Sequence, residues 1–236
     1  MKTFLIIIYF LLLIFSCNKE NPNEKLQTAI KLANQDEYGK AIEVINQIIK
    51  DYPDFATAYL HRGVYLSVSS NKTEEVFANI NKAIQLDPAY AEAYYERGTI
   101  KEIHYPLFGS GEDDYNKAIL LNSNYSKAYL SRACAKNRNG QYQEALVDIE
   151  KAKLFNNNSA LLFCARATSL IGLDRYNEAL KDIAIALQKD SLDETAYYLR
   201  CIAYYKLNDT INSCIDCKKA LKLGSKDAGK FLNEHY

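Results

Sequence analysis

Apolar positions recur at helical spacing along almost the whole chain. Tyr59, Tyr94, Tyr129, Phe163 and Tyr197 each stand four residues before a small side chain: Gly63, Gly98, Ala133, Ala167 and Cys201. That spacing puts both members of a pair on one helical face, and the small member lets a second helix approach closely. A different stripe follows downstream. Ala145, Ile149 and Ala152, then Ala179, Ile183 and Ala186, fall at i, i+4 and i+7, as on a buried helix face. The pattern is also periodic. Tyr-Gln-Glu-Ala-Leu at 142–146 and Tyr-Asn-Glu-Ala-Leu at 176–180 lie 34 residues apart, and so do Arg132-Ala133, Arg166-Ala167 and Arg200-Cys201. Upstream, Tyr94-Tyr95-Glu96-Arg97-Gly98 echoes Tyr59-Leu60-His61-Arg62-Gly63 at a distance of 35. The units fall at 22–55, 56–90, 91–125, 126–159, 160–193 and 194–227. Each is expected to be a helix pair that cannot bury its own apolar face and so stacks on its neighbours. Gly140 and Gly172 are expected to loosen the turns inside two of the pairs.

An aromatic residue, a small one four places on, then an alanine-rich second helix closed by Tyr52-Pro53 or Asp87-Pro88: this arrangement resembles the tetratricopeptide repeat. The resemblance implies an all-α, right-handed superhelical solenoid of six helix-turn-helix repeats over residues 22–227, with 228–236 as a C-terminal capping helix. The first unit has Lys25 in the aromatic slot and reads as an N-terminal cap. The third is irregular. His104-Tyr105-Pro106-Leu107-Phe108-Gly109-Ser110-Gly111 replaces the regular turn; Pro106 should end the first helix and the glycines delay the second. It reads either as a tolerated loop or as a protruding recognition loop.

The family binds partners in a concave groove lined by the first helix of each repeat. Here the matching positions are Leu60, Tyr95, Leu130, Cys164 and Tyr198, and one turn on Val64, Thr99, Cys134, Thr168 and Ile202. The stripe is mainly apolar with hydroxyls, which suits an extended peptide or a partner's helix. The lysine and asparagine with which chaperone-binding members grip a C-terminal carboxylate are missing. The alternative is that these residues only pack adjacent helices, and that binding uses the convex face or an edge.

One slot departs from the commonest repeat pattern. Just before the small residue stand Arg62, Arg97, Arg132, Arg166 and Arg200, and sixteen or seventeen residues later come Asn79, Asp114, Asp148, Asp182 and Asp216. The first repeat has Thr28 and Val44, so both partners are absent together. This joint absence predicts a structural ladder of ion pairs within repeats (Arg97 with Asp114, Arg132 with Asp148, Arg166 with Asp182, Arg200 with Asp216), because the planar guanidinium can hold a carboxylate with two bonds. The alternative is solvated charge on the edge of the array.

Composition narrows the function. Equal numbers of basic and acidic residues, 29 each, give no electrostatic reason to seek nucleic acid. Four prolines and nine glycines argue against a turn-rich β fold. Cys201 and Cys217 fall in core slots and read as small hydrophobes. Cys214-Ile215-Asp216-Cys217 is formally a C-x-x-C motif, yet it lies inside a predicted helix and has no second pair to complete a zinc site. His61, His104 and His235 lack the spacing of a metal or nucleophile constellation. No phosphate-cradling loop or elbow serine is present. The expectation is no catalysis, no metal and no cofactor.

The beginning of the chain reads separately. Lys2 precedes twelve unbroken apolar residues, Phe4 to Phe15, too few to span a membrane and right for a signal-peptide core. Ile14-Phe15-Ser16-Cys17 resembles a bacterial lipobox, which implies cleavage after residue 16, lipidation of Cys17 and a tether over 17–21. The expected protein is exported and lipid-anchored in the bacterial cell envelope, at the outer membrane because no aspartate follows Cys17. Its expected role is a scaffold for another protein or peptide. An assembly factor for outer-membrane proteins is the first alternative, and a thiol or metal protein using the C-x-x-C at 214–217 the second.

Overall fold

A computed structural model describes residues 21–104 and 111–236, and every regular element among them is an α-helix. The first helices of the six pairs are α1 (Pro22–Ala33), α3 (Ala56–Ser69), α5 (Ala91–His104), α7 (Ser126–Arg138), α9 (Ala160–Gly172) and α11 (Glu194–Lys206). The second helices are α2 (Tyr38–Asp51), α4 (Thr73–Leu86), α6 (Glu112–Leu121), α8 (Tyr142–Leu154), α10 (Tyr176–Lys189) and α12 (Thr210–Leu223), and α13 (Lys226–His235) closes the chain. This is an all-α repeat fold. Phe4 to Phe15, Cys17 and the tether up to residue 20 lie outside the described residues, as do 105–110 of the irregular loop with Pro106 and Gly109. Asn21, expected to end the tether, caps α1: its side chain accepts the Asn23 N–H at 3.0 Å. The closing helix starts at Lys226, before the expected 228, because Ser225 caps it through the Ala228 N–H.

The helices gather into two units, one ending at Glu96 and one running from Arg97 to Tyr236. In the first, α1 packs on α2, α2 on α3 and α3 on α4, around Leu26, Ala29, Ile45, Ile48 and Ala58. In the second, each helix from α6 to α13 packs on the next, and α9 also touches α7 and α11. Its largest core joins Ala133, Ile149, Phe163, Ala167 and Ile183. In the second and third repeats the small residue of the first helix faces a bulky one on the second. A Cβ on Gly63 would come within 2.7 Å of Ile80, and one on Gly98 within 2.8 Å of Tyr115.

In the last repeat that contact is covalent. Cys201 and Cys217, expected to pack as small hydrophobes, form a disulfide with Cα atoms 5.3 Å apart. Two small side chains at the seam leave room for a bond where glycine faces isoleucine elsewhere. The C-x-x-C therefore offers one thiol rather than two, since the Cys217 sulfur is bonded to Cys201 and Cys214 is free.

The turns correct a second expectation. Gly140 takes a left-handed φ of 75°, but in the next repeat that conformation belongs to Asp174 at 59°, and in the last to Asn208 at 63°. Aspartate and asparagine tolerate it better than other side-chain-bearing residues. Gly172, the last residue of α9, is glycine for a different reason: a Cβ there would run into the Tyr142 ring.

The arginines lie against the second helix of their own repeats. Arg132 donates to both oxygens of Asp148, Nε at 2.8 Å and Nη2 at 2.5 Å; Arg200 does the same to Asp216 at 2.7 and 2.8 Å. Arg97 Nη2 is 2.6 Å from Asp114, and Arg62 Nε is 2.6 Å from the amide oxygen of Asn79. Arg166 is the loose rung, with Nε 3.5 Å from Asp182 and 3.6 Å from Glu150. Asp182 Oδ2 is buried without a hydrogen bond, and burial pushes its carboxyl above the usual range against the pull of Arg166. In the first repeat, which lacks both ladder partners, Lys25 reaches Asp51 at 3.3 Å instead.

Candidate partner-binding face

The ten stripe residues divide by depth. Leu60, Leu130 and Cys164 are buried, at 2, 5 and 3% exposure. Val64, Tyr95, Thr99, Cys134, Thr168, Tyr198 and Ile202 are half-buried. In the second unit the reason is side-by-side packing of first helices: α9 lies against α7 and α11, which buries Leu130 and Cys164 and leaves Cys134, Thr168, Tyr198 and Ile202 half-buried.

The open part deepens into a cleft of about 250 Å³ between α7 and α9, lined by Cys134, Asn137, Arg138, Leu161, Cys164 and Thr168, with Thr195 at its end. Its floor is rigid. Asn137 Nδ2 donates to the Ala165 carbonyl at 2.8 Å, and the Ser169 hydroxyl donates to Asn137 Oδ1 at 2.7 Å, all buried. On the rim Arg138 pairs with Glu102, whose other oxygen accepts the Gly111 N–H at 2.5 Å. At the end, Asp193 caps α11 by accepting the Thr195 and Ala196 N–H groups, and its second oxygen accepts the Cys164 thiol at 3.4 Å. Burial pushes both thiols upward, and the Asp193 charge adds to the effect on Cys164, so both stay protonated at neutral pH. Leu161 stands open at 58% exposure beside them. The cleft can seat a small apolar side chain.

The histidines lie elsewhere. His61 meets the Tyr65 ring at a tilt with centroids 5.6 Å apart, and burial pushes its pKa down; His235 bonds the Tyr205 hydroxyl at 3.2 Å. Among the described residues no three His, Cys, Asp or Glu side chains gather where they could hold a metal ion, and no helix is long and apolar enough to cross a membrane.

Residues 26–91 match the family model of the tetratricopeptide repeat. Solved structures agree over most of the chain. PilW, a widely conserved type IV pilus biogenesis factor, superimposes with a TM-score of 0.76 at 16% identity, over 91% of this chain and 100% of that one. Pseudomonas aeruginosa pilF gives 0.76 at 14%, over 90% and 97%. The chain has the tetratricopeptide-repeat fold. YrrB, a repeat protein of this kind with an unusual peptide-binding site, gives 0.63 at 20%, over 82% and 99%. No curated protein sequence matches the chain.

Within this repeat fold, several functional neighbours escape sequence reasoning. Lys101 and Lys136, one turn after their arginines, add a second cation to Asp114 at 2.7 Å and to Asp148 at 2.9 Å. The arginines also reach backward: Arg62 Nη1 donates to Asn46 and Arg132 Nη1 to Asn116, each on the preceding second helix. The spacing of Asn46 and Asn116, two residues beyond the ladder slot, was the available signal. The Asn137–Ser169 network had none, because neither residue recurs at the repeat spacing: 34 positions on stand Ile171 and Ala203.

Proposed function

We propose that this protein is a non-catalytic interaction scaffold, tethered to a bacterial envelope membrane by a lipid on Cys17, that takes a peptide or partner segment on its first-helix face. The observation that carries the reading is the α7–α9 cleft, open, floored by a buried hydrogen-bonded network and flanked by exposed Leu161. The peptide-binding site named for YrrB supports this use of the fold. The Cys201–Cys217 disulfide supports export, because structural disulfides persist in oxidising compartments. The second reading, a factor for assembling outer-membrane proteins, draws support from PilW, named as a pilus biogenesis factor.

A photo-crosslinker at Thr168 of the full chain, in its native cell, tests the face. The expected result is a discrete adduct lost when Leu161→Glu is added. Equal adducts from exposed Lys181 on α10 would count against the cleft. The anchor is tested separately: Cys17→Ala should move the protein from the membrane to the soluble fraction, and an unchanged distribution would remove the lipid from the account.

A further inference from the structure

The outer face of the last repeat differs from the two before it. At a spacing of 34, Ile211 follows Gln143 and Asn177, Ile215 follows Val147 and Lys181, Lys218 follows Glu150 and Ala184, and Lys222 follows Leu154 and Gln188. Of these three repeats, α12 alone joins two isoleucines to two lysines on one stripe, since 211, 215, 218 and 222 fall at i, i+4, i+7 and i+11. Ile211 and Ile215 stand open at 74 and 59% exposure. Packing leaves them over: α12 buries Ser213, Cys217 and Ala220 on its other side, and α13 joins that cluster through Ala228, Phe231 and Leu232. We infer that this stripe, with Lys226 at the start of α13, docks on an anionic lipid surface.

The charge of the region selects the occupant. The chain as a whole is neutral, but residues 210–236 hold five lysines and three acids. One of those acids, Asp216, is buried beneath Arg200. Asp227 sits 3.7 Å from Lys230, and Lys219 lies over the Tyr197 ring. Lys218, Lys222 and Lys226 are exposed and pair with no carboxylate among the described residues. Helix stability does not account for them all. Lys222 suits the last turn of α12, but Lys218 lies before that turn, and Lys226 opens α13, where the helix dipole disfavours a cation. Free ammonium groups beside open isoleucines match an anionic lipid interface, where the lysines meet headgroup phosphates and the apolar tips enter the acyl boundary. An acidic soluble chain would satisfy the lysines and leave both isoleucines in water. The inference rests on the envelope-membrane reading for the presence of such a surface, and its test reads the face separately from the anchor.

The chain contains no tryptophan, so Ile215→Trp places a single reporter on the stripe. The full chain carrying it, purified from its own cells, is reconstituted with vesicles of phosphatidylcholine alone or of phosphatidylcholine mixed with phosphatidylglycerol, both with brominated acyl chains that quench tryptophan on contact. Strong quenching is expected on the mixed vesicles and little on the neutral ones. It should fade toward about 1 M salt, where the screening length falls to about 3 Å. Lys218→Gln, Lys222→Gln and Lys226→Gln together should abolish it, with circular dichroism reporting the fold. Lys181→Trp, in the same slot on α10, should stay unquenched. Flotation with the neutral vesicles reports the anchor on Cys17, whatever the tryptophan does. The proposal is overturned if Ile215→Trp is unquenched on mixed vesicles, if neutral vesicles quench it equally, if the triple lysine change leaves the quenching intact, or if Lys181→Trp is quenched as strongly. It is also overturned if soluble polyglutamate shifts the Ile215→Trp emission as far as the mixed vesicles do, which would give the stripe to an acidic protein instead.

Discussion

Cys201 on α11 is bonded to Cys217 on α12 at the seam where, in the second repeat, the absent Cβ of Gly63 makes room for Ile80. One position in the repeat thus has two solutions, a small residue under a bulky one or two small residues joined. The bond closes a segment with a sequence separation of 16 residues. Replacing both cysteines by alanine should lower stability by about 3 kcal/mol, the loop-closure value for a segment of that length. Denaturant melts of the parent and the double variant check the magnitude. Alkylation under denaturing, non-reducing conditions should find Cys134, Cys164 and Cys214 free.

Asp148 sits almost sealed beneath Arg132 and Lys136. Asp148→Ala leaves both cations near a lost partner and should cost about 3–5 kcal/mol, the range for breaking a buried pair from one side. Adding Arg132→Ala should restore part of the loss, with a coupling of at least about 1 kcal/mol. Chemical melts of the four proteins of the cycle measure it, and simple additivity would mean that the pair does not couple.

The loose rung predicts a pH dependence of opposite sense to that of a paired carboxylate. Asp182 has its folded pKa raised by burial, so the folded chain holds this proton more tightly than the unfolded one. Its stabilising contribution is fully present below the ordinary carboxylate pKa and is lost as pH rises through the raised folded value. Asp182→Asn should therefore flatten the stability profile across the mildly acidic range. Thermal melts at stepped pH on parent and variant check the sign.

Gly172 is demanded by contact. Gly172→Ala should cost about 1–3 kcal/mol through overpacking against the Tyr142 ring, and Tyr142→Ala in the same chain should relieve that increment. Gly140→Ala meets no neighbour but a left-handed backbone, so its cost of about 1 kcal/mol should be indifferent to Tyr142. Melts of the single and double variants separate the two causes.

The buried floor of the cleft predicts a further loss. Asn137→Leu removes the amide that donates to the Ala165 carbonyl and accepts from Ser169, whose hydroxyl keeps its 3.1 Å bond to that same carbonyl, so the change should cost about 1 kcal/mol. The same change should loosen the docking of α7 on α9, readable as faster amide exchange in both helices.

By itself the sequence determined the helices, their pairing and the repeat length of 34, because helical periodicity and small-residue slots are local properties that any window of the chain displays. It also marked the arginine and aspartate slots, since a repeat prints the same contact several times over. Depth was decided only by the tertiary structure. Leu130 and Cys164 share the stripe with Thr168, yet side-by-side packing of the first helices seals the former two and leaves the latter open. Partners that cross a seam were decided there as well: Cys201 with Cys217, Arg132 with Asn116, Asn137 with Ser169. Each depends on how closely two helices approach, a distance set by the sum of all side chains between them rather than by either residue alone.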